Sequence, residues 1–459
     1  MIILWKKIIL VFFLLFLCVI IIIILHDYNN PLIPSGLYIA DIDIGGLTND
    51  EARNIFHKLT EEKINNSIIL TFYDKQWILK ISEYVEIDAD ESIENMASYV
   101  KNIKKKRCNK RIYLSPTAKK KSPLRIEPII KYKQDKLAQL FDEINKVIMV
   151  KPINAVFKTD NDIVHIITDV KGQILDEDML KEKIKEAIWT KNQTLVIPVK
   201  VWNAEMTKED LEKMGIRVKI AEYSTEFDKT LKNRTENIKV ASEMLNGCII
   251  SPGETFSFNK VVGERTSDKG YKKAPAFINN EVIYDIGGGI CQVSSTLYNL
   301  ALLTDLEIVE RMNHSLPVGY VPLGRDATVS YGTIDLKFKN NTGGYLLLTS
   351  EITNDKLIVK FFGNKKIDKY VELFSETIKT IPSPIIIKKD FNLEKGEIRI
   401  EQGNAGYVVN LWKRYANEKN EHKVLISSDT YNPTPTLLYV GEKVKEITDD
   451  KNINATIIP

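Results

Sequence analysis

The sequence predicts an α+β protein. An N-terminal apolar helix is followed by two mixed α+β modules, a strand-rich α+β domain and a small β-rich C-terminal module. Three observations carry this. Of 459 residues, 44% are hydrophobic, and the formal net charge is only +3, whereas disorder requires low hydrophobicity with high net charge; a chain of this length folds into several domains. A single apolar run, Ile8 to Leu25, stands ahead of a body in which charges interleave nearly everywhere, which excludes a multi-span membrane protein. Segments of helical period then alternate with short strand-like runs as far as residue 205, after which strands dominate. Four cysteines are too few for a disulfide-dense scaffold.

The apolar run has 18 residues and follows Lys6 and Lys7, which meets the minimum length of a spanning helix. A cleaved signal peptide has a shorter apolar core and a small-x-small site; here His26-Asp27-Tyr28-Asn29-Asn30-Pro31 follows instead. The expectation is an uncleaved signal-anchor. Residues 1–26 then form a cytoplasmic tip and a single transmembrane helix, crossing the membrane at 8–25, with the remainder outside the cytoplasm.

Residues 35–125 form the first module. Thr48-Asn49-Asp50-Glu51 is a capping box that opens a helix carrying Ala52, Ile55, Phe56 and Leu59, and Ser67–Tyr73 with Gln76–Ile81 reads as a hairpin. Its end, 101–125, holds eleven Lys or Arg and no acid, so the rest of the chain is net acidic. Outside the membrane such a run meets lipid headgroups or anionic wall polymers rather than nucleic acid, unless it is simply a solvated linker. Residues 126–205 form the second module. A helix at 134–148 presents Leu137, Leu140, Phe141, Ile144 and Val147 on one face, with strands at 155–158, 164–167 and 194–201 and a second helix carrying Leu180, Ile184 and Ile188.

Residues 222–350 form the third domain. A helix at 233–246 turns Ile238, Ala241, Met244 and Leu245 inward and stops at Gly247. Strands are expected at 255–258, 276–278, 281–284, 316–321, 328–331, 334–339 and 345–349, with a helix from Gln292 to Leu303. The last module, 375–445, is β-rich with scattered glycines.

The chemistry concentrates at Gly287-Gly288-Gly289-Ile290-Cys291. Glycines let backbone N–H groups approach a ligand, and the first turn of a helix offers unpaired donors at the positive end of its dipole. A thiol there has a lowered pKa, and amides near Gly288, Gly289 and Cys291 form a candidate oxyanion hole, with Ser294 in the early turns of the helix. His314 is the histidine that shares a domain with Cys291; His26, His57, His165 and His422 fall elsewhere. Such a pair ionises as thiolate and imidazolium, oriented by a third group. Asp326 is the candidate orienter, with Ser315 and Asp335 behind it, and Arg311 and Ser315 join the candidate substrate contacts. A disulfide between Cys248 and Cys291 is an open alternative that removes the nucleophile. The glycines match neither a P-loop nor a dinucleotide fingerprint, and no metal-ligand spacing is present, so no cofactor is expected.

Four stretches together resemble the VanW domain family: Asn233 to Phe258, Gly287 to Asn299, His314-Ser315-Leu316-Pro317 and Gly324-Arg325-Asp326-Ala327-Thr328. Leu300 stands where a small residue is common. The second module, including Gly172 to Leu175, resembles the peptidoglycan-binding module that often precedes such a domain, and residues 381–442 resemble the five-glycine β module that often follows it. The resemblance implies an L,D-transpeptidase acting on peptidoglycan tetrapeptide stems as donor and acceptor, with the catalytic part facing the cell wall. It implies Cys291 as nucleophile and His314 as its partner. L,D-carboxypeptidase activity follows if water is the acceptor. The alternatives are a non-catalytic peptidoglycan-binding or glycopeptide-resistance accessory protein and a scaffold for other wall enzymes.

Overall fold

The computed structural model describes residues 14–21, 32–33, 36–108, 124–190, 193–278, 281–366, 370–416 and 423–443. Of the expected span at 8–25, residues 14–21 are helical with Leu14, Leu15 and Phe16 exposed, and the rest lies outside the described residues. Among the described residues no helix is long and apolar enough to cross a membrane. The helix Ala89–Cys108 runs into the basic stretch, of which 109–123 lies outside the described residues.

The chain divides into two compact units, one built from Met1–Ile153 with Val170–Ala204 and the other from Asn154–Asp169 with Glu205–Pro459. In the first unit, Thr194–Val196 runs parallel to Ser67–Phe72, and Val85–Asp88 pairs antiparallel with Ile129–Tyr132. Strands from both expected modules therefore pair with one another, and a boundary at 125/126 cuts through a single core. Thr48 caps the helix Asn49–Ile64 in a reciprocal box with Glu51. The helix Gln134–Ile148 buries Leu137, Leu140, Phe141, Ile144 and Ile148, while Val147 is exposed. After Ile144 both 147 and 148 satisfy helical spacing, and packing selects the second. The expected strand at 194–201 is two short strands, Thr194–Val196 and Val199–Trp202, separated at Ile197-Pro198 where a proline has no N–H to donate.

The second unit is built on a four-stranded antiparallel sheet of Val218–Glu226, Lys356–Gly363, Leu346–Thr353 and Cys248–Ile250. The helices Lys232–Leu245 and Ile290–Leu303 pack against it. The first of these buries Asn237 and Ser242 beside Ile238, Ala241 and Leu245, and leaves the expected inward residue Met244 exposed. A smaller sheet joins Thr255–Ser257, Lys337–Lys339 and Glu307–Glu310, and within it Phe256 stacks on Phe338 with centroids 4.8 Å apart. A hairpin, Lys273–Ile278 with Glu281–Ile286, delivers the chain to the glycine triplet.

The expected strands at 316–321 and 328–331 are not strands; apart from a bridge at Ser330, this stretch is a loop. Pro317, Gly319, Pro322 and Gly324 interrupt it, and its carbonyls bond side chains of the neighbouring helix instead of a ladder. Beyond it, Val371–Ile381, Gly406–Tyr415 and Val424–Tyr431 form an antiparallel sheet whose Leu411 sits in the same core as the Ile290–Leu303 helix. Ile385–Glu394, Thr436–Lys443 and Ile398–Glu401 form the last sheet.

Candidate functional site

The helix Ile290–Leu303 is buried on nearly every side, polar residues included. That is stable because its glutamine, serine, threonine and asparagine side chains are paired. Gln292 accepts from Arg234 at 2.7 Å and donates to the Glu226 carbonyl at 2.8 Å. Ser295 donates to the Cys291 carbonyl and accepts from the Ala327 N–H, and Asn299 donates to the Arg325 carbonyl while accepting from the Arg325 side chain. The polar face of this helix thereby holds the loop 325–327 against it.

The start of the helix is equally fixed. Gly289 caps it at φ +107°, a conformation that side-chain-bearing residues rarely adopt. A Cβ on Gly288 would lie 2.5 Å from the carbonyl oxygens of Ala274 and Pro275. Buried Asn237 ties the turn down: its amide donates to the carbonyls of Gly288 and Lys272, and its oxygen accepts from the Lys272 N–H. Among the described residues, the backbone N–H groups of Gly289 and Cys291 have no acceptor within the chain.

A cavity of about 630 Å³ opens here, lined by Gly287 to Gln292 together with Arg234, Arg265, His314, Tyr320 and Thr328 to Tyr331. Cys291 is partly buried, free of any disulfide, and its thiol lies 3.6 Å from the Val329 carbonyl. Burial alone would push this thiol up. Its hydrogen bond to His314, the charge of that ring and the nearby Arg265 guanidinium outweigh burial and hold it below the ordinary value. Burial likewise pulls His314 down, but Asp326 and Cys291 together push it up to about 9. Both shifts favour the thiolate–imidazolium form of the pair. Cys248 is also free, so the disulfide alternative is not formed; burial pushes its thiol up to about 11.

Asp326 is the centre of the supporting network. One of its oxygens accepts from both the backbone N–H and the Nδ1 of His314, each at 2.6 Å. With Nδ1 so engaged, Nε2 is the nitrogen left for the thiol. The other oxygen accepts from the Tyr431 hydroxyl and from Arg311 at 3.3 Å. Burial opposes the charge of Asp326, but His314, Arg311 and Tyr431 keep its carboxyl below the usual range. Arg311 reaches further, donating to the Asp326 carbonyl and, through Nη1, to both oxygens of Asp429 at 2.7 Å, with its guanidinium over the Tyr298 ring.

Cys291, His314, Asp326, Gly288 and Gly289 therefore meet at one place. Three other expected contacts do not reach the cavity. Ser294 is fully buried and donates to the carbonyls of Cys291 and Ala327. Arg311 is consumed by Asp326 and Asp429. Ser315 is exposed, and its carbonyl accepts from the Asn432 N–H. Asp335, the reserve orienter, binds Ser257 and the N–H groups of Asn259 and Leu336 instead. Sequence reasoning missed Arg265, Tyr320, Asn237, Asp429 and Tyr431. Tyr320 lies six residues after His314, and Asn237 lies inside the stretch Asn233 to Phe258, so these two were within reach of the motifs.

The VanW like protein family matches residues 233–362, and a peptidoglycan binding domain family matches 82–196. The uncharacterized protein YoaR of Bacillus subtilis is 32% identical over 275 residues, which is 60% of this chain and 86% of YoaR. The vancomycin B-type resistance protein VanW of Enterococcus faecalis is 30% identical over 202 residues, 43% of this chain and 72% of VanW. Among solved structures, the IgA1 protease G5 domain is 22% identical over 17% of this chain and 96% of its own, with a TM-score of 0.13. With 30% identity across 72% of VanW, and the family match centred on the Cys291 helix, the chain belongs to the VanW-like protein family and is a cell-wall-related protein.

Proposed function

We propose that this chain is a peptidoglycan L,D-transpeptidase that forms 3-3 cross-links through a cysteine thioester. The observation that carries the reading is the Cys291–His314–Asp326 arrangement at a glycine-lined helix start, with free backbone donors beside the thiol. The Cys291 thiolate attacks the carbonyl carbon that joins the third residue of a tetrapeptide stem to its terminal D-residue. The N–H groups of Gly289 and Cys291 take the developing oxyanion. The carbon–nitrogen bond breaks as His314 Nε2 gives its proton to the leaving amine, and a thioester remains. The side-chain amine of an acceptor stem then attacks, returns a proton to His314 and releases the thiolate. Water in that position gives carboxypeptidase action. Asp326 holds the ring and its charge throughout and is a positioning residue.

The apolar run after Lys6 and Lys7 supports a single-pass anchor with the site on the wall side, and the basic stretch at 101–125 supports contact with anionic wall polymer or headgroups. The peptidoglycan binding match supports wall glycopeptide as the ligand. The test is incubation of the purified full chain with disaccharide-tetrapeptide, read by mass spectrometry. Dimer lacking one D-alanine is expected from the wild type and none from Cys291→Ala. Equal product from both, or none from either, sinks the enzyme and leaves the non-catalytic wall-binding reading.

A further inference from the structure

Among the described residues, two polar groups on the cavity wall have no hydrogen-bond partner. The Nε, Nη1 and Nη2 atoms of Arg265 are buried and make no hydrogen bond, and the buried Thr328 hydroxyl makes none. The contrast with Arg234, on the same cavity, is direct, because that guanidinium is engaged by Gln292. Arg265 is held in place by apolar and aromatic contacts. Its guanidinium lies over the rings of Phe258 and Tyr331, with centroids 5.6 and 5.8 Å away, and its aliphatic stem borders Gly287, where an added Cβ would come within 3.3 Å of it. A buried guanidinium fork with every donor unused costs stability, and its geometry matches a carboxylate in a bidentate pair. Arg265 is one of the residues that line the cavity containing Cys291.

We propose that Arg265, assisted by the Thr328 hydroxyl, binds the free carboxylate of the terminal D-residue of the donor stem and so restricts the enzyme to stems with an unblocked C-terminus. This rests on the transpeptidase reading for the identity of the carboxylate, though not for the existence of an anion site. The carboxylate belongs to the leaving group, so the contact aligns the scissile bond against the thiolate and is released with the free D-amino acid. Arg265 is a binding and specificity residue and takes no proton.

The experiment has two arms. In the first, Cys291 of the full chain is alkylated with iodoacetate and with iodoacetamide at one pH. The wild type should favour the anionic reagent, relative to a free thiol, by about tenfold, the worth of one charge-assisted contact. Arg265→Gln should abolish that preference, read as the ratio of the two rates because the Arg265 guanidinium also lowers the Cys291 thiol and both rates follow the thiolate fraction, and Arg265→Lys should keep part of it. In the second arm, a tetrapeptide ending in D-alanine and its C-terminal amide are titrated into Cys291→Ala protein. The free acid should bind about tenfold more weakly once Arg265→Gln is added, with the amide unaffected. Thermal melting of Arg265→Gln, measured alongside, shows that the variant is folded. An unchanged reagent preference in a folded Arg265→Gln protein, or equal losses for acid and amide, overturns the proposal. Absence of cross-linking by the wild type overturns the function instead and leaves the reagent preference as an independent readout.

Discussion

Two of the stretches of chain at the Cys291 cavity treat buried charge in opposite ways. Along 311–326, Arg311, Asp326 and His314 satisfy one another and are closed off by Asp429 and Tyr431. Along 265–291, the Arg265 guanidinium and the N–H groups of Gly289 and Cys291 are left without hydrogen-bond partners among the described residues. Paired groups fix a shape before any ligand arrives, whereas unpaired donors cost stability until something satisfies them. The first stretch is therefore scaffold for the histidine, and on the proposed function the second is a surface for negative charge, both on the substrate and in the transition state.

The sharpest way to break the paired side is Asp326→Asn. An amide keeps the volume but loses the charge that holds His314 protonated, and its NH₂ must face one of the donors His314, Arg311 or Tyr431. Cross-linking is expected to fall by about 10⁴-fold, equivalent to about 5.5 kcal/mol, as for other orienting carboxylates. Initial rates of dimer formation measure it, and a rate within tenfold of wild type removes Asp326 from its role.

Asp429→Ala probes the same network from the C-terminal strand Val424–Tyr431. Arg311 and Asp429 are each only 6% exposed in their side chains, so the substitution leaves a buried cation with half its compensation. The expected cost is about 3–5 kcal/mol in urea denaturation of the full chain. An unchanged midpoint would mean that the C-terminal sheet is an appendage instead of a wall of the site.

That prediction also marks what the sequence conceals. Gly287 to Cys291, His314 and Asp326 fall within a short stretch and announce themselves by residue type, because a helix start needs glycines and a thiolate needs a base. Asp429 lies 118 residues from Arg311, and nothing local distinguishes it from any other strand aspartate. Tyr431 is equally mute until its hydroxyl is seen on Asp326. Asn237 looks like a surface residue of an amphipathic helix, yet it is buried because the glycine turn needs its amide. Residues 316–321 and 328–331 read as strands because they are apolar, but Pro317 and Gly319 interrupt the first, and the loop between them is held by its Arg325 and Ala327 carbonyls on Asn299, Ser294 and Ser295. Local period finds elements well. It cannot find which backbone groups a distant side chain will claim.

The smallest expected effect sharpens the comparison through pH. Cys291 sits below its ordinary value because His314 and Arg265 favour the thiolate, and His314 is raised to about 9 because Asp326 and Cys291 favour the imidazolium. The reactive form needs the thiol deprotonated and the ring protonated, so acylation rises as pH climbs through the lowered Cys291 value and falls as it passes about 9, where His314 loses the proton that the leaving amine requires. The two limbs belong to the pair as a unit. One unit above the upper limb the acylation rate should be down by about tenfold, or about 1.4 kcal/mol. Alkylation separates the two limbs, since iodoacetamide needs only the thiolate and should not decline above that limb. Cys248, pushed up to about 11 by burial, should remain unmodified across the plateau and serves as the internal control. An alkylation profile for Cys291 that rises only where Cys248 rises would mean that the paired side fails to deliver its charge to the thiol.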